Sequence, residues 1–353
     1  MAARRIAVVL FNLGGPDRPE AVRPFLFNLF SDPAIIALPS LPRRLIAWLV
    51  ARRRAPLARE IYAQLGGGSP LLANTEAQAR ALEQALAGLG TVRAFPCMRY
   101  WHPLSADVAA AVRGFAPDAT VLLPLYPQFS STTTGSSLAA WRRAARAAGL
   151  AEPGRAICCY PVEPGFIEAI ADGVAAARAA LPAEGPEARI LFTAHGLPKR
   201  VVERGDPYVA QVEATVAAVA RRLALPDDAW RLCFQSRVGP LEWVGPYTDA
   251  EIKAAGAEGR PVVMVPVAFV SEHSETLVEL DIEYRRLAEE CGVPAYLRVP
   301  TVGIAPAFVA GLARLVRQAL QQPGETGSGE GGRRCTADRA CCPLAAPAIE
   351  EAA

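Results

Sequence analysis

Seven short apolar runs punctuate the sequence, at residues 6–12, 92–98, 120–125, 156–160, 189–193, 231–235 and 262–269. Between most of them lie Ala-, Leu-, Arg- and Glu-rich stretches of helical period, for example 75–89, 166–181 and 207–225. Uninterrupted apolar runs of this length suit strands buried on both faces. Strands that alternate with helices make βαβ units and parallel sheets. A weak internal echo keeps the same order in both halves: residues 10–16 resemble 191–198 in layout, and 121–125 resemble 263–267. With 353 residues the chain exceeds one ordinary core. The expected fold is α/β with two similar lobes, spanning 1–160 and 161–304. A C-terminal helix at 305–322 should pack back on them, followed by a flexible linker and cysteine-rich tail at 323–353. Ligands of such folds sit beyond the carboxyl ends of the strands, here between the lobes.

Composition narrows the function classes. Hydrophobic residues make up 52% and charged residues 20%, as in a well-buried globular protein. A formal charge of +2 gives no case for nucleic-acid binding. No apolar run reaches the length of a membrane span, and the first residues run straight into a strand, so the expected compartment is the cytoplasm. No Gly-x-Ser-x-Gly elbow occurs, and no dinucleotide fingerprint stands between a strand and a helix, which counts against a hydrolase and a nicotinamide enzyme.

The run at 262–269 empties into Glu272, His273, Glu275, Glu279, Asp281 and Glu283. Read as a helix, Glu275, Glu279 and Glu283 recur every fourth residue and share one face. Like charges at that spacing repel, which suits a cation or proton site; a solvated acidic helix start is the alternative. Two of the chain's three histidines, His195 and His273, fall at strand ends in matching halves. An imidazole facing carboxylates makes a mixed N/O site for a loosely held first-row divalent ion. The loop 124–137 carries a run of hydroxyls able to donate to a carboxylate or phosphate, or merely to cap a helix. Gly66-Gly67-Gly68-Ser69-Pro70 lacks the following Gly-Lys-Ser/Thr of a phosphate cradle and reads as a tight turn. Residues 40–59 combine an apolar side (Leu41, Leu45, Ile46, Leu49, Val50) with many arginines and Trp48, suited to an interfacial helix or a greasy lip over an apolar ligand.

These segments together resemble the ferrochelatases, which insert Fe(II) into protoporphyrin IX to make haem. The resemblance runs from about residue 8 to 317. It rests on Phe11-Asn12-Leu13-Gly14-Gly15-Pro16, the 66–71 glycine turn, Met98-Arg99-Tyr100-Trp101-His102-Pro103 and the 126–137 loop. It continues through Ala194-His195-Gly196-Leu197-Pro198, Arg204-Gly205-Asp206-Pro207-Tyr208, residues 235–240, Trp243-Val244-Gly245-Pro246 and the acidic segment. It implies two Rossmann-like lobes of the chelatase fold around a porphyrin cleft. It implies His195 as the active-site histidine, accepting pyrrole protons or binding iron, with Glu275 as its catalytic partner. His195, Glu275, His273 and Glu279 would form the metal path, on a helix widened locally to a π-form. Arg99, Tyr100, Tyr208, Trp243 and Phe269 would line the porphyrin pocket, and 40–59 would form its apolar lip. The implied partners are protoporphyrin IX and Fe(II), both substrates. A homodimer and peripheral contact with the inner membrane stay open. So do a related chelatase for coproporphyrin or another tetrapyrrole, and a non-catalytic porphyrin-binding module.

The tail resembles the [2Fe–2S] extension of some ferrochelatases. A cluster takes four thiolates, and the tail offers Cys335, Cys341 and Cys342. Animal members place the fourth in the hydroxyl-rich loop, where this chain has Ser131. The expected fourth is Cys158 or Cys159, one or the other because strand neighbours point to opposite faces. The alternative is a disordered tail with reactive or zinc-binding thiols.

Overall fold

The structure, a computed structural model, describes residues 4–150, 154–182, 185–239, 241–322, 326–333, 335–336 and 338–344. Pro240, residues 323–325 of the expected linker and Arg334 of the tail lie outside the described residues.

Two parallel sheets carry the fold. The first has the order β2 (Thr91–Met98), β1 (Arg5–Asn12), β3 (Ala119–Pro124), β4 (Arg155–Ile157) and β9 (Thr326–Gly327). The second has the order β6 (Trp230–Gln235), β5 (Arg189–His195), β7 (Val262–Pro266) and β8 (Tyr296–Arg298). Every pairing in both is parallel. The apolar runs explain the central places of β1 and β5. Residues Ile6 to Phe11 are at most 1% exposed, and each such side chain contributes roughly 2 kcal/mol by leaving water.

Helices fill the crossovers: α1 (Val22–Phe30), α2 (Ser40–Ala63), α3 (Leu71–Ala85), α4 (Ser105–Phe115), α5 (Ser136–Ala147), α6 (Pro164–Ala179), α7 (Lys199–Glu203), α8 (Tyr208–Arg222), α9 (Thr248–Ala257), α10 (Tyr284–Glu290) and α11 (Pro306–Gln321). A π-helix, Glu275–Glu283, precedes α10. Helix α6 starts where Glu163 accepts from the Phe166 N–H at 2.8 Å, with Pro164 supplying a preset backbone angle. Arg314 of α11 pairs with the same carboxylate and so ties the returning C-terminal helix to α6. Around these helices the two sheets share one core. Ile6, Val8 and Leu10 belong to the same apolar cluster as Ile190, Phe192 and Ala194, joined through Phe166 and Phe308.

Two expectations change. Part of the supposed linker is ordered: β9 adds to β4 in the register Ala156–Thr326 and Ile157–Gly327. Backbone groups left unpaired along the edge of β4 account for this. Strand β4 also stops at Ile157, so Cys158 and Cys159 lie past its end. The strand run at 262–269 likewise shortens to Val262–Pro266.

Candidate active site

The carboxyl ends of β5, β6 and β7 meet at one group of polar side chains. His195 closes β5, and its Nδ1 lies 2.6 Å from the Gly196 carbonyl oxygen. A carbonyl can only accept, so Nδ1 carries a proton and Nε2 faces the cleft. That Nε2 is 3.9 Å from Glu275 Oε1. His273 repeats the arrangement: its Nδ1 is 3.1 Å from Ser271 O, and its Nε2 is 3.7 Å from Glu275 Oε2. Each oxygen of Glu275 therefore addresses a different imidazole. Burial raises the Glu275 carboxyl, but the nearby His195 and His273 outweigh it and hold the group at about 2.

Glu279 behaves oppositely. Burial and the neighbouring Glu275 charge push its carboxyl above the ordinary range, against the hydrogen bond from Ser236. Ser236 follows β6 with φ at 64°, a left-handed backbone uncommon for serine. From there its N–H reaches Glu279 Oε1 at 3.0 Å and its hydroxyl reaches Oε2. Gln235 and Tyr284 add bonds to the same carboxylate, each at 3.2 Å. Among the described residues, no three His, Cys, Asp or Glu side chains converge closely enough to hold a metal ion.

The acidic segment is clamped from behind. Arg298, at the end of β8, donates to Glu272 Oε1 at 2.6 Å and to both oxygens of Asp281, spanning the π-helix. From α3, Gln78 Nε2 donates to Val270 O and Gly303 O at 2.8 and 3.0 Å, and Asn74 Nδ2 donates to Glu272 O at 3.0 Å. Tyr62 of α2 also enters: burial pushes its hydroxyl up to about 12, a Ser274 hydrogen bond opposes this, and the Glu275 charge adds to it.

The expected pocket residues divide into two groups. The Trp243 ring lies 6.0 Å from the His195 ring, and that of Phe269 lies 4.6 Å from His273. Burial and then the Glu275 charge raise the Tyr208 hydroxyl, which brings this residue into the same electrostatic neighbourhood. Arg99 and Tyr100 gather instead on Asp32, which accepts from Arg99 Nη2 at 2.7 Å and Tyr100 Oη at 2.8 Å. Tyr100 is 1% exposed and lies behind the surface. Ser136 joins Asp32, while Ser130 and Ser131 bond Asp206. The hydroxyl-rich loop thus does serve carboxylates, those of the protein itself. On α2 the alanines Ala47, Ala51 and Ala55 face inward, while Leu41, Leu45 and Leu49 are 81%, 61% and 52% exposed.

A second group collects thiols. Cys158 Sγ is 3.2 Å from Cys159 Sγ. Burial first, and then the nearby Cys342 and Cys159, raise the Cys335 thiol, against the hydrogen bond from Gln211. The Cys159 hydrogen bond, burial and the nearby Cys342 and Cys335 all raise the Cys158 thiol. Both Cys158 and Cys159 take part because β4 has ended and strand alternation no longer separates them. Cys341 departs from the expected set, since its thiol turns to Arg204 O at 3.4 Å.

Two parallel-sheet lobes that bring a base, a fixed carboxylate and aromatic rings together where their strands end define an enzyme of the chelatase type. A solved structure, the sirohydrochlorin chelatase SirB from Bacillus subtilis subspecies spizizenii in complex with cobalt, shares the fold at a TM-score of 0.50 and 12% identity, over 91% of this chain and 97% of that one. The ferrochelatase family model matches residues 5–320. The ferrochelatase of Caulobacter vibrioides (strain NA1000 / CB15N) is 54% identical over 345 residues, covering 96% of this chain and 97% of its own. That of Phenylobacterium zucineum (strain HLK1) is 54% identical over 325 residues, 91% and 93% of the two chains. The chain belongs to the ferrochelatase family.

Proposed function

We propose that the cleft inserts Fe(II) into protoporphyrin IX with release of two protons, using His195 and Glu275. As a member of the ferrochelatase family the chain is a metal-inserting lyase of haem biosynthesis. The observation that carries the residue assignment is Glu275 held between two imidazoles at 3.9 and 3.7 Å.

Insertion requires two pyrrole N–H protons to leave before the ring nitrogens can bind the ion. His195 Nε2 is the base that accepts them, since its other nitrogen is committed to Gly196 O. Accepting a proton makes an imidazolium, and the ionised Glu275 stabilises it. One imidazole serves two protons, so the first must be passed on before the second is taken. Glu279, with its raised carboxyl, is the acid suited to hold it. The nitrogen and oxygen donors of His195, His273, Glu275 and Glu279 suit Fe(II) as passing cargo. Trp243, Phe269 and Tyr208 give the macrocycle apolar surface. Arg99 and Tyr100 brace the wall through Asp32.

The exposed leucines of α2, flanked by Arg43, Arg44, Arg52, Arg53 and Arg54, support a porphyrin lip that touches an anionic membrane surface peripherally, in a cytoplasmic protein. No helix among the described residues is long and apolar enough to cross a membrane. The lobes are read as 1–160 and 161–304, with 305–322 packing back and 323–353 as the tail. A [2Fe–2S] cluster is assigned to Cys158, Cys159, Cys335 and Cys342, whose thiols would have to draw together on it: crowded thiols oppose each other's ionisation, and a cation would relieve that opposition. A cluster bound there would fasten the tail to the body.

Anaerobic incubation of the purified protein with protoporphyrin IX and Fe(II) should produce the absorption bands of haem, and His195→Ala should abolish them while porphyrin still quenches tryptophan fluorescence. Unimpaired turnover by His195→Ala would overturn the assignment.

A further inference from the structure

We propose that Gln211 and the 204–211 segment couple the thiol group to the porphyrin side of the cleft, so that occupancy of one changes the other. The proposal rests on the reading of the cleft given above. Gln211, in the first turn of α8, is 4% exposed and uses both ends of its amide. Its Oε1 accepts from the Phe129 N–H at 2.7 Å, and its Nε2 donates to Cys335 Sγ at 3.3 Å. A single side chain thus bridges the hydroxyl-rich loop and a tail thiol.

Asp206 makes a parallel link. Fully buried, it accepts from Ser130 Oγ at 3.0 Å and from Ser131 N and Oγ at 2.7 and 2.6 Å, while its other oxygen takes the Tyr208 N–H at 3.0 Å. The tail covers the opposite side of the same segment. Cys341 N–H donates to Gly205 O at 3.2 Å. Gly205 has a φ of 89°, and a Cβ there would stand 2.7 Å from Ala340 N. Only glycine allows the tail to seat so closely. Tyr208 lies between these two attachments, and the hydroxyl-rich loop they hold runs on to Ser136, which accepts from Arg99 Nε at 2.7 Å and bonds Asp32 behind the Arg99 and Tyr100 wall.

The segment therefore has partners on both sides, and losing either leaves buried polar groups unmatched. A single hydrogen bond commonly changes an equilibrium about fivefold, and coupling between two sites is reciprocal. Gln211 acts here as a positioning residue, through Phe129 on one side and Cys335 on the other.

The test measures iodoacetamide reaction at Cys335 and Cys342 of the purified full chain, first freed of any bound iron and sulfide with a chelator, by mass spectrometry, with and without saturating protoporphyrin IX and without iron. Porphyrin should slow the reaction about fivefold in the wild-type protein. Cys291, at the end of α10, should react at the same rate in both conditions. In Gln211→Leu, checked for folding by circular dichroism, porphyrin should give no protection. In Gln211→Glu, which keeps the acceptor for Phe129 and loses the donor to Cys335, porphyrin should bind normally and again protect nothing. Porphyrin binding without slowing in the wild-type protein, or equal slowing in Gln211→Leu, overturns the coupling alone. Failure of the wild-type protein to bind porphyrin overturns the reading of the cleft, and the coupling with it.

Discussion

Replacing Glu275 by glutamine keeps the side chain's size and removes its charge. The ionised carboxylate lies 3.9 Å from His195 Nε2. At that distance a unit charge pair is worth about 4 kcal/mol in a partly screened site and about 1 kcal/mol in bulk water. The side chains are 34% and 28% exposed, so the value falls between these limits. The carboxylate helps in proportion to the charge His195 acquires. Glu275→Gln should therefore lower kcat by about one to three orders of magnitude at neutral pH. Porphyrin affinity should change little, because the apolar wall of Trp243 and Phe269 is untouched. Haem formation measured anaerobically gives kcat, and tryptophan quenching by protoporphyrin gives the affinity. A Glu275→Gln enzyme with wild-type kcat would refute the reasoning. A loss confined to porphyrin affinity would move Glu275 from the chemistry to the pocket.

The same carboxylate predicts an acid limb in stability. Its folded value of about 2 lies below the ordinary 4.5, so its contribution is complete above about pH 4.5 and disappears as pH falls toward 2. Thermal melts over that range should fall more steeply for the wild-type protein than for Glu275→Gln. Arg298→Leu leaves Glu272 and Asp281 without their shared partner and should cost about 3–5 kcal/mol, read as a lowered melting temperature. Cys335→Ser should remove any visible iron–sulfur absorption of the purified protein, whereas Cys341→Ser should leave it. Leu45→Glu with Leu49→Glu on α2 should abolish sedimentation with vesicles containing anionic lipid and leave the fold intact.

The strands were legible because burial on both faces forces uninterrupted apolar runs, as in 6–12 and 189–193. His195 and Glu275 were legible because charge at the mouth of an apolar strand conflicts with burial unless it has a partner. Glu283 was misplaced by assuming a uniform four-residue repeat. Glu283 stands at the last position of the π-helix and is exposed. Asp32, Gln78 and Gln211 escaped notice because their partners lie far away in the sequence, and Asp206 was quoted only as part of a motif. For Gln78 a signal existed: it shares the inward face of α3 with Thr75, Ala79 and Leu82, where a glutamine needs a buried partner. Cys158 and Cys159 were treated as exclusive alternatives through strand alternation, which fails one residue beyond Ile157.

The strand β9 also orders events on the ribosome. Strands β1 to β4 emerge first, yet the edge of β4 receives its neighbour only after the whole second sheet and α11 have been made. A nascent first lobe therefore waits with the edge of β4 unpaired, as well as with apolar surface destined for the shared core. Closure of that edge and arrival of Cys335 and Cys342 beside Cys158 and Cys159 fall at the same late moment of synthesis. Assembly of the thiol group thus follows the making of the second sheet and of α11.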